Sequence, residues 1–333
     1  MKLILLFVSI FYSPKWLIKG FSLLSGLKKI RLKKTFYSNG KLLLTAEYLV
    51  LDGAIALALP TKFGQDLVVE SGENSQISWK SFDSDKKVWF DDIITFDEIR
   101  NKIVVDNQNI KNTLIEILHE GFLKNQSFIN NSDGYIVATN LSFPRNWGLG
   151  TSSTLINNIA QWLEIDAFEL LNNSFGGSGY DIACAQNNVP ILYHLENKKP
   201  VIEKVVFNPE FSENIYFVYL NKKQNSRIAI ENYRKKTISQ NAVLKINKLT
   251  YEILDSNDIH SFAKAIKSHE NLMSENLEIE TIQHQLFPDF IGTIKSLGAW
   301  GGDFVMVVSE KNPEYYFKEK GFETVLKYDE MIL

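Results

Sequence analysis

The sequence predicts an α+β protein, on three observations. Strand-like and helix-like stretches follow one another without the regular alternation of a doubly wound parallel sheet. At 333 residues the chain has the length of about two domains. Its 45% hydrophobic and 23% charged content can fill a core and solvate the surface around it. A net charge of −3 gives no global basic field, so nucleic acid is not an expected partner, and an anionic substrate has to be gripped by a few local cations. Cys184 is the sole cysteine, which excludes an intrachain disulfide framework and fits a reducing, cytoplasmic compartment. No Cys/His spacing suits zinc.

Residues 1–34 read as an extension outside the fold. "MKLILLFVSIFY" has a lysine and an apolar run, but Pro14 and Lys15 follow, then the cation-studded "WLIKGFSLLSGLKKIRLKK". There is no A-x-A cleavage site and no span of about 20 apolar residues. Membrane contact through this lead, or a weak export signal, stays open; no membrane contact is expected elsewhere. A coherent pattern starts at about Thr35.

From there "TFYSNGKLLLTAEYLVLDGAIALALPTKFGQDLVVE" predicts a hairpin-like β region, with turn signals at Ser38-Asn39-Gly40 and Asp52-Gly53. "NSQISWKSF" and "KKVWFDDIITF" are rich in β-branched and aromatic residues and predict strands. "IKNTLIEILHEGFL" repeats apolar positions at helical spacing, and "DGYIVATNLSF" alternates as a strand. "PRNWGLGTSSTLINNIAQWLEI" opens from glycines into a helical pattern. Further on, "PILYHL", "KVVFN" and "NIYFVYL" predict strands, and "ENYRKKTISQNAVLKINKLTYEIL" and "IHSFAKAIKSHENLMSENL" predict helices. "IGTIKSLGAWGGDFVMVVSE" reads as a helix, a glycine turn and a strand, "EYYFKEKG" as a helix, and "FETVLKY" as the last strand.

Glycine loops interrupt this pattern at chemically suggestive places. In "GLGTSST", residues 148–154, loop N–H groups and the first turn of the following helix can cradle phosphate. The loop is neither a Walker motif nor a full G-x-G-x-x-G, and a glycine turn with a Ser/Thr helix cap is the plainer reading. "SFGGSGYDIACAQ" crowds glycines before Asp181, which could serve simply as an N-cap. "SNGKLLLTAEY" sets Lys41 at the mouth of a strand, and "GAWGGDF" precedes an apolar strand.

Together these loops resemble the GHMP kinase superfamily, the small-molecule kinases of galactose, homoserine, mevalonate and phosphomevalonate. "GKLLLTAEYLVLDGAIALALPT" resembles the first motif, "FPRNWGLGTSSTLINN" the second and "GAWGGDFVMVV" the third, in the family's order and spacing. The likeness runs from about Thr35 to the C-terminus. Glu47-Tyr48 and "GSGYD" are closer to phosphomevalonate kinases than to mevalonate kinases, and "GYDIA" labels one subgroup. The resemblance implies a two-lobed fold: residues 35–205 form an N-terminal ATP-binding domain and 206–333 a C-terminal domain, with nucleotide and acceptor in the cleft between them.

It also implies an ATP- and Mg²⁺-dependent kinase that transfers the γ-phosphoryl group to an isoprenoid-pathway acceptor, with phosphomevalonate ahead of mevalonate. Asp181 is then the base or proton acceptor and Lys41 its electrostatic partner. Gly148, Leu149, Gly150, Thr151, Ser152 and Ser153 hold the triphosphate, with Ser152 aimed at Mg²⁺. Glu47, Ser178, Gly179, Gly301 and Gly302 form the acceptor side, with Gly298 in the same wall. In "YLNKKQNSRIAI", Lys222, Lys223, Ser226 and Arg227 match a substrate loop, and Arg227 can grip an anion with two prongs.

The chain departs from the pattern at Ala46 and Trp300, each in place of glycine, and Trp300 could crowd the site. Thr151 replaces a serine. Glu169 is a candidate acidic Mg²⁺ ligand, one position out of register. Alternatives are a sugar or homoserine kinase of the same superfamily, or a nucleotide-binding protein without catalysis. The related decarboxylase is disfavoured by "GSGYD". Cys184, in an apolar helix, reads as packing.

Overall fold

Apolar alternation over residues 33–71 folds back on itself. In a computed structural model that describes residues 33–104, 110–224 and 226–333, β1 (Lys33–Leu43) pairs antiparallel with β2 (Ala56–Ser71). Residues 1–32, and with them the expectations for the N-terminal lead, lie outside the described residues. The Ser38-Asn39-Gly40 stretch is no turn but part of β1, where the register shifts between Asn39 and Lys41. Gly40 serves close approach instead: a Cβ there would stand 2.7 Å from Thr61 Oγ1 and 3.0 Å from the Leu149 carbonyl. The second turn signal does act as one, because Gly53 ends a short 3-10 helix, Leu49–Asp52, with a left-handed φ of 87°.

The strands β3 (Gln76–Phe82) and β4 (Val88–Thr95) follow as expected. A helix that the strand-like residues around Ile94 concealed, α1 (Phe96–Asn101), starts at a capping box between Thr95 and Glu98. Next come α2 (Ile110–Lys124), α3 (Ser127–Asn130), β5 (Tyr135–Leu141), α4 (Thr151–Leu163), α5 (Ala167–Ser174) and α6 (Tyr180–Gln186). The hairpin of β6 (Ile191–Glu196) and β7 (Lys199–Lys204) turns at Asn197 and Lys198, both at positive φ, as a two-residue turn requires. The strand expected at "KVVFN" therefore ends at Lys204. These strands make one seven-stranded sheet, ordered β4-β3-β5-β2-β6-β7 with β1 also on β2.

The rest of the chain builds a second sheet. It contains β8 (Ile215–Tyr219), then the helices α7 (Ser226–Tyr233), α8 (Gln240–Leu254), α9 (Ile259–Leu277) and α10 (Ile282–Leu286). It closes with β9 (Thr293–Ser296), β10 (Phe304–Val308), α11 (Glu314–Glu319), β11 (Val325–Lys327) and α12 (Tyr328–Met331). The strand order is β11-β8-β10-β9. The helix expected at "IGTIKS" is thus β9, a strand with every residue buried against β10. A short apolar run fits helix or strand equally, and pairing with Phe304–Val308 decides.

One core layer joins the first sheet to its helices, through Leu67, Ile77, Trp79 and Val137 against Ile115, Leu118, Ile156 and Leu163. Another joins the two sheets, through Leu42, Leu59, Phe143 and Leu149 against Phe217, Phe304 and Met306. Phe304 is fully buried, with Trp147 edge-on at 5.3 Å and Tyr219 at 5.4 Å. Phe304→Ala is expected to cost about 3–5 kcal/mol of stability, read from the urea midpoint.

Candidate active site

The second motif forms its loop because Leu149, fully buried, pins the middle while glycines bend around it. Gly148 has φ 72° and Gly150 φ 96°, and α4 starts directly after them at Thr151. Within the loop the Ser153 hydroxyl donates to the Gly150 carbonyl at 2.9 Å, and Thr154 Oγ1 donates to Gln65 Oε1 at 2.7 Å. Ser152 alone of the hydroxyls from 151 to 154 is exposed. The free first-turn N–H groups of a 13-residue helix and the adjoining loop make a cradle for an anion.

The end of β1 is stitched to this loop. The Lys41 N–H donates to the Leu149 carbonyl at 3.0 Å, and a Cβ on Gly150 would stand 3.2 Å from Lys41 Cγ. The lysine head then reaches α6: its Nζ lies 3.3 Å from Asp181 Oδ1 and donates to the Tyr180 hydroxyl at 2.8 Å. Burial on its own would lower the Lys41 pKa, but Tyr180 and Asp181 outweigh it and hold the ammonium firmly charged. Tyr180 is held neutral, far above its ordinary range, by burial and by Asp181, so it accepts from Lys41 rather than competing as an anion.

Asp181 is not the cap of α6. Gly179, at φ 89°, takes that position, which leaves the Asp181 carboxylate for Lys41. Ile182, Ala183 and Cys184 bury the opposite face, and burial pushes the thiol up, so Cys184 is packing. The Ser178 carbonyl accepts from the Tyr193 hydroxyl, which fixes the loop before Gly179.

The third motif brings Asp303 to the same place. Its carboxylate packs on the phosphate-type loop: a Cβ on Gly148 would stand 2.4 Å from Asp303 Cγ. Asp303 itself has φ 53°; its N–H donates to the Lys222 carbonyl at 2.6 Å and its Oδ1 accepts from the Gln224 N–H at 3.2 Å. Burial raises its carboxyl above the usual range and Lys41 pulls it back. Sequence reasoning passed over Asp303 and Tyr180, although each adjoins a motif it had singled out.

Two cavities flank these groups. One, of about 540 Å³, is lined by Thr151 and Ser152 together with Arg145, Asn146 and Lys223 and by the apolar Trp89 and Leu155. The Arg145 guanidinium lies over the Trp89 ring at 5.4 Å, and Lys223 Nζ donates to the Arg145 carbonyl at 3.1 Å. The other, of about 470 Å³, is lined by Gly177, Ser178 and Gly179 with Lys198, Arg234 and Lys236.

Other expected residues lie elsewhere. Glu47 is 1% exposed and ion-paired with Lys295 on β9, inside the core rather than on the acceptor side. The same buried cluster holds Glu270, whose Oε1 accepts from Ser296, and His269, whose Nε2 accepts from the Ala46 N–H at 3.0 Å. Burial pushes the Glu270 carboxyl up to about 7, despite Lys295. Burial and Lys295 depress His269, so it is neutral. Gly301 and Gly302 face inward: Cβ atoms there would meet Gln224 Nε2 at 2.9 Å and the Lys222 carbonyl at 2.7 Å. Trp300 does not crowd the cleft; it is buried in a cluster with Leu43, Tyr233 and Met273. Glu169 pairs with Lys124 at 2.8 Å and is largely exposed. The side chains of Ser226 and Arg227 lie outside the described residues.

No protein-family model matches the chain, and no curated protein sequence does. Solved structures do. The mevalonate kinase of Methanococcus jannaschii aligns at TM-score 0.64 and 18% identity over 88% of this chain and 96% of its own. The phosphomevalonate kinase of Streptococcus pneumoniae, in complex with phosphomevalonate and AMPPNP, aligns at 0.65 and 16% over 88% and 99%. The galactokinase of Lactococcus lactis, complexed with galactose, aligns at 0.60 and 13% over 91% and 92%. The chain has the two-lobed GHMP kinase fold.

Gly150→Ala forces a side chain to φ 96° with its Cβ 2.8 Å from Ser153 Oγ, and is expected to cost at least about 1 kcal/mol in thermal unfolding. For Glu270 the folded carboxyl binds its proton more tightly than the unfolded one, so its contribution to stability falls as pH rises from 4.5 to about 7. His269, depressed in the fold, works in the opposite direction below pH 6.5. Comparison with Glu270→Gln isolates the first effect: wild type minus variant stability, from urea melts, is expected to decline across that window.

Proposed function

We propose that the chain is an ATP- and Mg²⁺-dependent small-molecule kinase whose acceptor is an anionic isoprenoid precursor, phosphomevalonate ahead of mevalonate. The observation that carries this reading is the Lys41–Asp181 pair set against the glycine loop at the start of α4. It puts a proton acceptor, a fixed positive charge and an anion cradle within a few ångströms of one another, the components that in-line phosphoryl transfer needs. The triphosphate is assigned to residues 148–153 and the base to the cleft walled by Trp89 and Leu155.

With a hydroxyl acceptor, Asp181 takes the proton as the oxygen attacks, and Lys41 stabilises the charge on that oxygen. With a phosphate acceptor, already ionised at neutral pH, both groups chiefly hold the attacking oxygen in line. Lys198 and Arg234, which line the second cavity beside the Glu278-paired Lys236 and Asp52, favour an anionic acceptor over a neutral sugar.

The residues also suit Mg²⁺. Ser152 presents an exposed hydroxyl in the first turn of α4, and Asp303 packs against the same loop. When bound, Mg²⁺ supplies charge neutralisation on the transferring group.

The test is ADP release with ATP and Mg²⁺, run in parallel against phosphomevalonate, mevalonate, homoserine and galactose. Preferred turnover of phosphomevalonate is expected, and Lys41→Met and Asp181→Asn are expected to lower kcat about a hundred- to ten-thousand-fold while melting like wild type. Unchanged turnover in both variants would remove the residue roles; nucleotide binding without transfer to any acceptor would overturn the kinase reading.

A further inference from the structure

The carboxylate of Asp303 packs against Gly148, the first residue of the loop to which the triphosphate is assigned. Gly148 has no side chain at the point where one would meet Asp303 Cγ at 2.4 Å and Oδ2 at 2.5 Å. Among the described residues none forms a direct ion pair with Asp303: Lys41 keeps its close contact for Asp181, at 3.3 Å, and acts on Asp303, as Lys223 does, only through its field, while Oδ1 of Asp303 accepts from the Gln224 N–H. A partly buried anion against a phosphate cradle repels the ligand the cradle is built for, unless a cation stands between them. Hydrogen bonds with Lys222, Leu220 and Gln224 hold Asp303 in a left-handed backbone conformation. Glu169, the acid suggested by sequence spacing, is engaged by Lys124 on an exposed surface.

We infer that Asp303 is the acidic residue that holds the divalent cation of the bound nucleotide. The inference rests on the nucleotide part of the proposed function, and it makes the third glycine motif, rather than the helix α5, the source of the metal ligand. It also predicts a change of sign. With a divalent cation present, Asp303 attracts the nucleotide complex; with none present, it repels the bare triphosphate.

Isothermal titration of the full chain and of Asp303→Asn with a non-hydrolysable ATP analogue, once with Mn²⁺ and once with EDTA, reads both signs. The substitution is expected to weaken binding at least about tenfold with Mn²⁺ and to leave it equal or several-fold tighter in EDTA. Equal affinities with Mn²⁺ overturn the inference, and so does parallel weakening in both media, which is what a packing role alone would give. Should the variant not fold, Mn²⁺ ENDOR decides, on protein carrying carbon-13 aspartate carboxylates and Asp181→Asn. A carbon-13 coupling to the bound ion supports Asp303, and its absence overturns the assignment. If the native chain binds no analogue in either medium, the nucleotide reading fails first and takes this inference with it.

Discussion

The position of Lys41 is the constraint on which the rest of the site depends. A bulge in β1 shifts the register with β2 just before it, so that Lys41 stands opposite Pro60, its N–H bonds Leu149 and its side chain crosses to Asp181. Three sequence-distant segments, the first strand, the loop before α4 and the first turn of α6, are thereby held at one point. A lysine's four-carbon stem is long and flexible, and most of its rotamer freedom is lost when it packs against Gly150. That loss is acceptable only because the head finds two partners at once, Tyr180 and Asp181. The aspartate can respond only because a glycine, not the aspartate itself, caps the helix.

Much of this was legible in the residues. The three glycine loops carried the fold, and the structure brings Lys41 and Asp181, singled out beside them, within 3.3 Å of each other. What escaped was whatever pairing decides. Thr293–Ser296 has no periodicity to distinguish strand from helix until β10 lies beside it. Ser38-Asn39-Gly40 has the composition of a turn, yet the same residues form a bulge against β2, where Gly40 lets Leu149, more than a hundred residues on, come close. The resemblance puts Glu47 on the acceptor side, but positive φ at Ala46 and Tyr48, on either side of it, turns the chain and sends the carboxylate inward to Lys295.

The buried cluster around Glu47 shows how a polar group can be needed without touching substrate. Glu47, Lys295, Glu270 and His269 lie within the core, and neither Glu47 Oε2 nor Glu270 Oε2 has a hydrogen-bond partner. Such a cluster adds little stability over an apolar replacement of the same shape, but it penalises the loss of any one member heavily. Its geometric effect is plain: His269 holds the N–H of left-handed Ala46, and Tyr48, stacked on Tyr233 at 5.3 Å, is turned to face the cleft side of the reversal.

The Glu47–Lys295 pair has one more consequence. Glu47 belongs to the segment that follows the first sheet's opening strand, and Lys295 to an edge strand of the second sheet. A buried ion pair thus ties the two sheets at this point, and leaving either charge buried without its partner costs about 3–5 kcal/mol. Any motion that parts β9 from the segment at Glu47 therefore works against this pair as well as against the apolar contacts between the sheets.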